Sequence, residues 1–371
     1  MSGKLRLRIF AHSWISDWNH GNAHFLRGLA QELVQLGHEV RCYEASDSWS
    51  LTNLLQERGE SREIVVNRFK QSFPALDVRF YTSDSTFPQF AEQELEDSDV
   101  VIIHEWNSPE IAQSILSLKS RFDFCALFHD THHRAYTRPE EMLRFPLQEF
   151  DGVLAFGEAI RRIYAEVGVH RTWTFHEAAD TVHFRPLTRR KEADIVWIGN
   201  WGDEERTREL EEFLLGPARR LPERKVVAYG VRYPEDAKIR LEKANIEYRG
   251  YLSNLDAPEV YARGVLSLHI PRRFYTNGLS GIPTIRVFEA LSCGSPLICS
   301  PWSDAEGLFR QGEDYVCAEN PVEMESHIRY LLGDDLARRQ ISRNAIETIR
   351  SRHTCRHRAL ELVEICEQLS K

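Results

Sequence analysis

The stretch GLSGIPTIRVFEALSCGSPLI, residues 278–298, decides the fold. A glycine-rich turn leads into a helical segment, which ends at Gly294 directly before an apolar, strand-like run. The first amides of such a helix have no partner within the helix, and they lie at the positive end of its dipole. This order of turn, helix and buried strand is typical of α/β proteins, and it predicts an anion-binding site at the helix start.

Apolar runs with strand character alternate with helical segments along the whole chain. The runs predicted to be strands are Leu7–Phe10, Glu39–Tyr43, Val78–Tyr81, Val100–His104, Phe124–Phe128, Gly152–Ala155, Trp173–Phe175, Ile195–Ile198, Val226–Tyr229, Val265–Ile270, Pro296–Cys299 and Tyr315–Cys317. Nearly continuous apolar strands separated by helices indicate parallel sheets that are covered on both faces. The predicted fold class is therefore α/β, with two doubly wound, Rossmann-like domains facing a central cleft. Ligands of such sheets bind at the carboxyl ends of the strands.

A basic, polar stretch from Arg185 to Lys191 precedes a new strand and predicts a domain boundary. The expected domains are residues 1–184 and 185–355. The last segment, 356–371, has the apolar spacing of an amphipathic helix and is expected to pack back on the N-terminal domain. A length of 371 residues agrees with two domains, because single cores rarely grow beyond about 250–300 residues.

The composition excludes several classes of protein. The net charge of −9 disfavours nucleic acid as a partner, because that affinity comes largely from neutralised phosphates. No apolar run has the length of a membrane span, and the chain starts on a strand without a signal peptide, so we expect a cytoplasmic protein without stable membrane insertion. The seven cysteines lack CxxC spacing and are expected to be reduced thiols.

Motifs for other kinds of chemistry are missing or misplaced. The sequence has no Walker-type glycine-lysine loop and no GxGxxG after the first strand, which disfavours NTP hydrolysis and dinucleotide redox chemistry. Asp97-Ser98-Asp99 precedes a strand instead of ending one, so a metal-binding Asp-x-Asp is rejected. His129, His132 and His133 suit zinc or iron, but no distant set of ligands matches them, and no metal site is predicted.

The segment from Arg286 through Glu289-Ala290-Leu291 to Ile298 resembles the donor-binding signature of the group 1 glycosyltransferases, which are retaining enzymes of the GT-B fold. It is similar in particular to their spore-maturation-protein-like branch, which has an Arg-x-Phe-Glu-Ala start. The resemblance implies an enzyme that moves a hexose-like group from a UDP- or GDP-linked sugar to a hydroxyl of a glycan or small-molecule acceptor, without a metal or other cofactor. By resemblance, Glu289 would hold the ribose hydroxyls. The alternative is an ordinary crossover helix with solvated charges.

One position departs from the family pattern. The larger family has a second glutamate eight positions upstream, which binds the transferred sugar, and Gly281 stands there in this chain. The amides at the helix start or Arg286 are expected to replace that glutamate, and the residues concerned are Ser280, Gly281, Thr284, Ile285 and Arg286. Thr284 is also a candidate helix cap.

Other segments follow the order of the family's donor domain. Ile195–Trp201 resembles its first strand and phosphate loop, and a basic residue early in the next helix, Arg206 or Arg208, would face the diphosphate. The alternative is a surface arginine paired with a neighbouring glutamate. The turn after Gly250 resembles the one that reads the nucleobase, although its tyrosine equally fits a packing role. The donor-binding residues implied by these segments are Gly199, Asn200, Arg206, Tyr251 and Leu252.

The N-terminal half is expected to bind the acceptor. The turn after the first strand combines aromatic and polar side chains with a flexible glycine, and its candidate acceptor-binding or closing residues are Trp18, His20, Gly21 and Asn22. The alternative is a structural loop packed by its tryptophans. By resemblance, His129 contacts the transferred sugar at the end of a buried strand. Asp130 and Glu105 are candidate catalytic bases at neighbouring strand ends.

The implied reaction requires fixed positive groups for the departing diphosphate, because charge develops there in the transition state. Two alternatives remain open. A nucleotide-sugar epimerase of the same fold would turn over without an acceptor. A non-catalytic binding subunit is suggested by the missing glutamate at Gly281.

Overall fold

The computed structural model describes residues 3–369, and every strand-like run predicted from the sequence forms a strand. The chain divides after Glu177 and after Thr354. The first unit contains residues 3–177 and 355–369, and the second contains residues 178–354. The sequence placed the corresponding boundaries after residues 184 and 355.

The first unit is built on a parallel sheet of seven strands in the order β3-β2-β1-β4-β5-β6-β7. These strands are β1 Arg6–Phe10, β2 Glu39–Ala45, β3 Asp77–Tyr81, β4 Val100–His104, β5 Cys125–Asp130, β6 Gly152–Ala155 and β7 Thr172–Thr174. Every residue of the central strand β4 is buried, as expected for a parallel strand that is covered by helices on both faces.

Helices and short turns connect these strands. They are α1 Ala23–Gln35, α2 Trp49–Arg58, α3 Arg62–Ser72, α4 Phe87–Leu95, α5 Pro109–Leu116, α6 Lys119–Phe122, α7 Arg134–Thr137, α8 Pro139–Met142, a 3₁₀ turn at Leu147–Glu149, and α9 Glu158–Glu166. Helix α1 buries Leu26, Leu29 and Leu33, which recur at helical spacing, and Gly37 follows its end with a φ of +94°.

The second unit has a parallel sheet of six strands in the order β10-β9-β8-β11-β12-β13. Its strands are β8 Ala193–Ile198, β9 Val226–Tyr229, β10 Ile246–Tyr248, β11 Gly264–His269, β12 Leu297–Cys299 and β13 Val316–Cys317. Its helical elements are α10 Glu204–Leu210, a π-helical turn at Glu211–Leu215, α11 Gly216–Arg220, α12 Glu235–Lys243, a 3₁₀ turn at Asn254–Asp256, α13 Ala257–Arg263, α14 Arg273–Asn277, α15 Ile285–Ser292, α16 Pro321–Gly333 and α17 Asp335–Arg352.

The last helix, α18 Cys355–Leu369, lies against α1 in the first unit. Its buried face includes Leu362, Ile365 and Cys366, and the thiol of Cys355 contacts the carbonyl oxygen of Phe25. Across residues 3–369, none of the helices has the length and hydropathy that a membrane span requires.

Strand order changes direction beside β1 in one sheet and beside β8 in the other. β1 lies between β2 and β4, and β8 lies between β9 and β11. Open α/β sheets bind ligands at such switch points, beyond the carboxyl ends of the strands. Ligands are therefore expected beside the residues that follow β1, β4, β8 and β11.

Candidate active site

Arg206 gives the strongest indication of a site in the second unit. Its guanidinium lies 5.7 Å from the ring centre of Trp197 and donates a hydrogen bond to the carbonyl oxygen of Ile270, beyond the end of β11. Among residues 3–369, no carboxylate lies within ion-pair distance of it. Burial and the nearby charge of Arg272 lower the pKa of Arg206 to about 10. A bound anion would balance this partly buried cation.

The neighbouring arginines have carboxylate partners. Arg272 Nη1 lies 2.6 Å from Asp203 Oδ2, and Arg273 Nε lies 2.6 Å from Glu209 Oε1. Arg208, the alternative basic residue of α10, is exposed. Arg206 therefore differs from these arginines in having no carboxylate partner. The alternative offered by the sequence, a surface arginine paired with a neighbouring glutamate, does not describe it.

The start of α15 adjoins the same strand end. Thr284 occupies the N-cap position but makes no side-chain capping bond, because its hydroxyl lies 2.9 Å from His269 Nε2. His269 ends β11, and its Nδ1 has no hydrogen-bond partner in the described part of the chain. Burial, reinforced by the charges of Arg206 and Arg286, lowers the pKa of His269 to about 3. A neutral imidazole and two arginines therefore meet beside the helix start.

Glu289, which the resemblance assigns to binding the ribose hydroxyls, is not exposed to solvent. Its side chain is fully buried and accepts hydrogen bonds from Arg286, from the Tyr261 hydroxyl at 3.2 Å and from Asn254 Nδ2 at 3.4 Å. Asn254 follows Tyr251 and Leu252, which are half-buried beyond the end of β10, so the turn expected at the nucleobase is linked to α15. A ribose would have to replace one of these three partners to reach the carboxylate.

The backbone conformation at position 281 favours glycine. The φ of Gly281 is +93°, and a Cβ atom there would lie 2.9 Å from Glu306 Cγ. Its amide donates to the Ser303 carbonyl oxygen at 2.9 Å, so this amide does not replace the missing glutamate. Ser280, which is exposed, Thr284, Arg286 and the first amides of α15 stay the candidates for that role.

The loop after β8 is fixed to β9. The amide of Gly199 donates to the Tyr229 carbonyl oxygen at 2.9 Å, and Asn200 Oδ1 accepts from the amide of Val231 at 3.0 Å. The amide of Gly199 is therefore engaged with β9, and the role of this glycine in letting the backbone approach a diphosphate stays a prediction. Asn200 shapes the loop through its side chain.

In the first unit, the hydroxyl of Thr131 contacts residues from two other chain segments. It lies 2.5 Å from Asn22 Nδ2, 2.9 Å from His104 Nε2 and 3.3 Å from Glu105 Oε1. Burial raises the pKa of Glu105 to about 8, although the charge of Arg134 opposes this. The sequence prediction included Asn22 and Glu105 but missed Thr131, which the pattern of polar residues after β5 makes visible.

Asp130 and His129 have different surroundings. Asp130 is fully buried, and its oxygens accept from the Tyr164 hydroxyl at 2.6 Å and the His132 amide at 2.9 Å. Burial raises its pKa to about 8, and these bonds hold the turn after β5. His129 Nε2 has no hydrogen-bond partner among the described residues, and burial keeps the pKa of this histidine well below its usual value.

The turn after β1 brings further rings to this edge. His20 lies 3.7 Å from His12 between ring centres, and Trp18 lies 4.8 Å from Trp49. Gly21 is half-buried between His20 and Asn22. His12 was not predicted, although its position just after the first strand was the available signal. No group of three metal-binding side chains that would hold an ion occurs within residues 3–369.

Comparisons with known proteins identify similar sequences and similar structures. Residues 206–364 match a family model described as glycosyl transferase-like. No curated protein gives a significant sequence match. The family match supports a glycosyltransferase enzyme and does not favour the epimerase or the non-catalytic alternative.

Solved structures show the fold. A glycosyltransferase from Rickettsia africae ESF-5 is 14% identical, with a TM-score of 0.66 and 100% of both chains covered. The Anabaena protein HepE, in complex with UDP and glucose, is 13% identical with a TM-score of 0.68, covering 98% of this chain and 99% of that one. An alpha-glucosyltransferase, in complex with UDP and a 13-mer DNA containing an HMU base, is 14% identical with a TM-score of 0.69, covering 98% and 100%. The chain has the GT-B fold, which confirms the predicted fold class.

Proposed function

We propose that this chain transfers a glycosyl group from a nucleoside-diphosphate sugar to an acceptor hydroxyl. The observation that carries the proposal is the guanidinium of Arg206, which has no ion-pair partner among residues 3–369 and lies at the switch point of the second sheet, within the segment that matches the family model. A diphosphate supplies the missing negative charge. It would lie between Arg206 and the first amides of α15, beside Arg286, which is already paired with Glu289.

We propose UDP as the nucleotide of the donor. HepE and the alpha-glucosyltransferase, which share the fold, were both solved with UDP. In this chain the turn at Tyr251 and Leu252 follows β10 and is linked through Asn254 to Glu289, which supports a nucleoside position along that edge. GDP is the competing nucleotide in the test below.

The proposed chemistry breaks the bond between the anomeric carbon and the diphosphate oxygen. A bond forms between the acceptor oxygen and the anomeric carbon, and the acceptor proton moves to the departing phosphate oxygen, which gives a glycoside and a nucleoside diphosphate. Retention of configuration is supported by the resemblance of α15 to the retaining group. This scheme needs no strong protein base, which suits Glu105, because a pKa of about 8 leaves most of that side chain protonated at neutral pH.

Metal independence is part of the proposal. The leaving diphosphate is stabilised by Arg206, Arg286 and the dipole of α15, which act as fixed positive groups. Asp99 is not positioned for a metal, because its carboxylate binds the Arg6 amide at 2.7 Å at the amino end of β1. A cytoplasmic location is supported by the seven cysteines, which are all free thiols.

Calorimetric titration with UDP and GDP tests the function. The wild type is expected to bind UDP more tightly than GDP. Arg206→Gln is expected to weaken UDP binding about 10–100-fold, because a hydrogen bond to a charged group contributes about 1.5–3 kcal/mol. Arg208→Gln is the matched control, since that arginine is exposed on the same helix. Equal UDP affinity in both variants, or no nucleotide binding by the wild type, would contradict the proposal.

A further inference from the structure

Trp49 is half-exposed beside a set of buried rings in the first unit. It is the first residue of α2, and 52% of its surface is accessible. Its ring lies edge-on to Trp18 at 4.8 Å and to His20 at 6.3 Å between centres, both with interplanar angles of 79°. No other tryptophan within residues 3–369 is as exposed. Two edge-on contacts fix the orientation of Trp49 and leave its ring accessible.

The rings continue from His20 to the end of β4. His20 lies 5.3 Å from Trp106, and His12 lies 5.4 Å from both Trp106 and His104. We call this group the ring cluster; its members are His12, Trp18, His20, Trp49, His104 and Trp106. His104 is the last residue of β4, and the other five follow the carboxyl ends of β1, β2 or β4, where a ligand of this sheet would bind.

Several polar atoms of the ring cluster are buried without hydrogen-bond partners. Within the described residues, they are both ring nitrogens of His12, the indole nitrogen of Trp18, and Nδ1 of His104, which is 2.9 Å from Glu105 Oε2 but poorly aligned for a hydrogen bond. His12 is 9% exposed and Trp18 is 7% exposed. Buried polar groups without partners are costly, and a ligand with several hydroxyls would satisfy them.

The ring cluster is close to electrically neutral. Burial lowers the pKa of His20 and of His104 to about 3 and that of His12 well below its usual value, so all three imidazoles are uncharged at neutral pH. The guanidinium of Arg134, which lies 4.1 Å from the Trp106 ring centre, donates to the Glu105 carbonyl oxygen and lies 3.6 Å from Glu141. This edge therefore lacks the unbalanced cation found beside Arg206.

We propose that the ring cluster is the acceptor site, that its ligand is an uncharged carbohydrate, and that Trp49 stacks against the sugar face. Aromatic faces contact the C–H faces of a sugar, and the imidazole and indole nitrogens exchange hydrogen bonds with its hydroxyls. A phosphorylated acceptor would lack a cation here, and a lipid chain would leave the nitrogens unpaired. This inference rests on the proposed function, because it names the class of acceptor.

Saturation-transfer NMR on the full chain with maltose, cellobiose and lactose, without donor, tests the site. The wild type is expected to transfer saturation to at least one of the three, and Trp49→Ala is expected to raise its Kd about tenfold, which corresponds to about 1.4 kcal/mol. Trp49→Phe is expected to give a smaller increase. Tyr330→Ala, which removes a 54% exposed aromatic ring from the second unit, is the control and is expected to leave the Kd unchanged.

Three results would overturn the inference. They are no transfer to any of the three sugars, an unchanged Kd in Trp49→Ala, and binding of glucose 6-phosphate more than tenfold tighter than that of glucose. UDP affinity, measured by calorimetry on the same samples, is expected to be equal in Trp49→Ala and wild type. If the wild type bound the disaccharides but not UDP, the proposed function would fail while the carbohydrate site remained.

Discussion

Gly199 and Gly230 leave no room for a side chain where β8 and β9 end. A Cβ atom on Gly230 would lie 2.0 Å from the Gly199 carbonyl oxygen, and the φ of Gly230 is +149°. A Cβ atom on Gly199 would lie 2.7 Å from the Trp197 ring. The sequence implied Gly199 as a site residue by resemblance to a phosphate loop. The structure adds two close contacts, with the Trp197 ring and with the loop that carries Gly230, and a linear pattern does not contain those distances.

We expect Gly230→Ala to destabilise the second unit by more than about 2 kcal/mol, because both the contact and the backbone angle oppose a side chain. The measurement is urea unfolding followed by tryptophan fluorescence. Gly333→Ala is the control: that glycine ends α16, has open space around its Cβ position, and should lose no stability. Equal urea midpoints of unfolding for the two variants would mean that the loop after β9 accommodates the methyl group without loss of stability.

Helix α18 is an example of an element that the spacing of apolar residues in the sequence predicts correctly. Its apolar spacing predicts an amphipathic helix, and the structure has Leu362 fully buried and Leu360 44% exposed on that helix. Strands were equally visible, since β4 and β6 have the predicted bounds. β10 was missed because its three residues, Ile246–Tyr248, include a charged one and form a short edge strand without a clear apolar period.

We expect Leu362→Ala to lower the free energy of unfolding by about 2–5 kcal/mol, since it opens a cavity between α18 and its neighbours. Leu360→Ala, the same substitution two residues earlier on the exposed face, should change it by less than about 0.5 kcal/mol. Chemical denaturation of both variants provides the measurement. A loss in Leu362→Ala no larger than that in Leu360→Ala would show that α18 adds little to the stability of the first unit.

The two sheets carry different kinds of side chains at the carboxyl ends of their strands. The second unit brings Arg206, Arg286 and the start of α15 together, whereas the first brings neutral histidines and tryptophans together. The sequence identified both edges, because polar residues follow apolar strands. It did not identify Arg206 as the arginine without a carboxylate or His12 as a histidine without partners, because pairing and burial depend on contacts between distant segments.

Buried histidines in both units give the molecule a defined response to acid. The pKa values of His20, His104 and His269 are lowered to about 3, mainly by burial, from an ordinary value of 6.5. The folded state therefore favours the neutral form. The stability that this contributes is present above pH 6.5 and is lost as the pH falls from 6.5 towards 3. Each such histidine takes up a proton on unfolding, which gives a slope of up to about 1.4 kcal/mol per pH unit.

Raised carboxyl pKa values oppose this trend, so the histidine contribution has to be isolated by substitution. Burial raises the pKa of Glu44 to about 7, and the stability linked to that group is lost as the pH rises through 7. We expect the stability difference between wild type and His269→Gln to fall as the pH is lowered from 6.5 to 4.5 in urea titrations. Leu360→Ala, which changes an exposed side chain without a titratable group, should give a constant difference. A constant difference for His269→Gln as well would mean that this imidazole is hydrated in the folded protein, and the edge beside Arg206 would then be open to water.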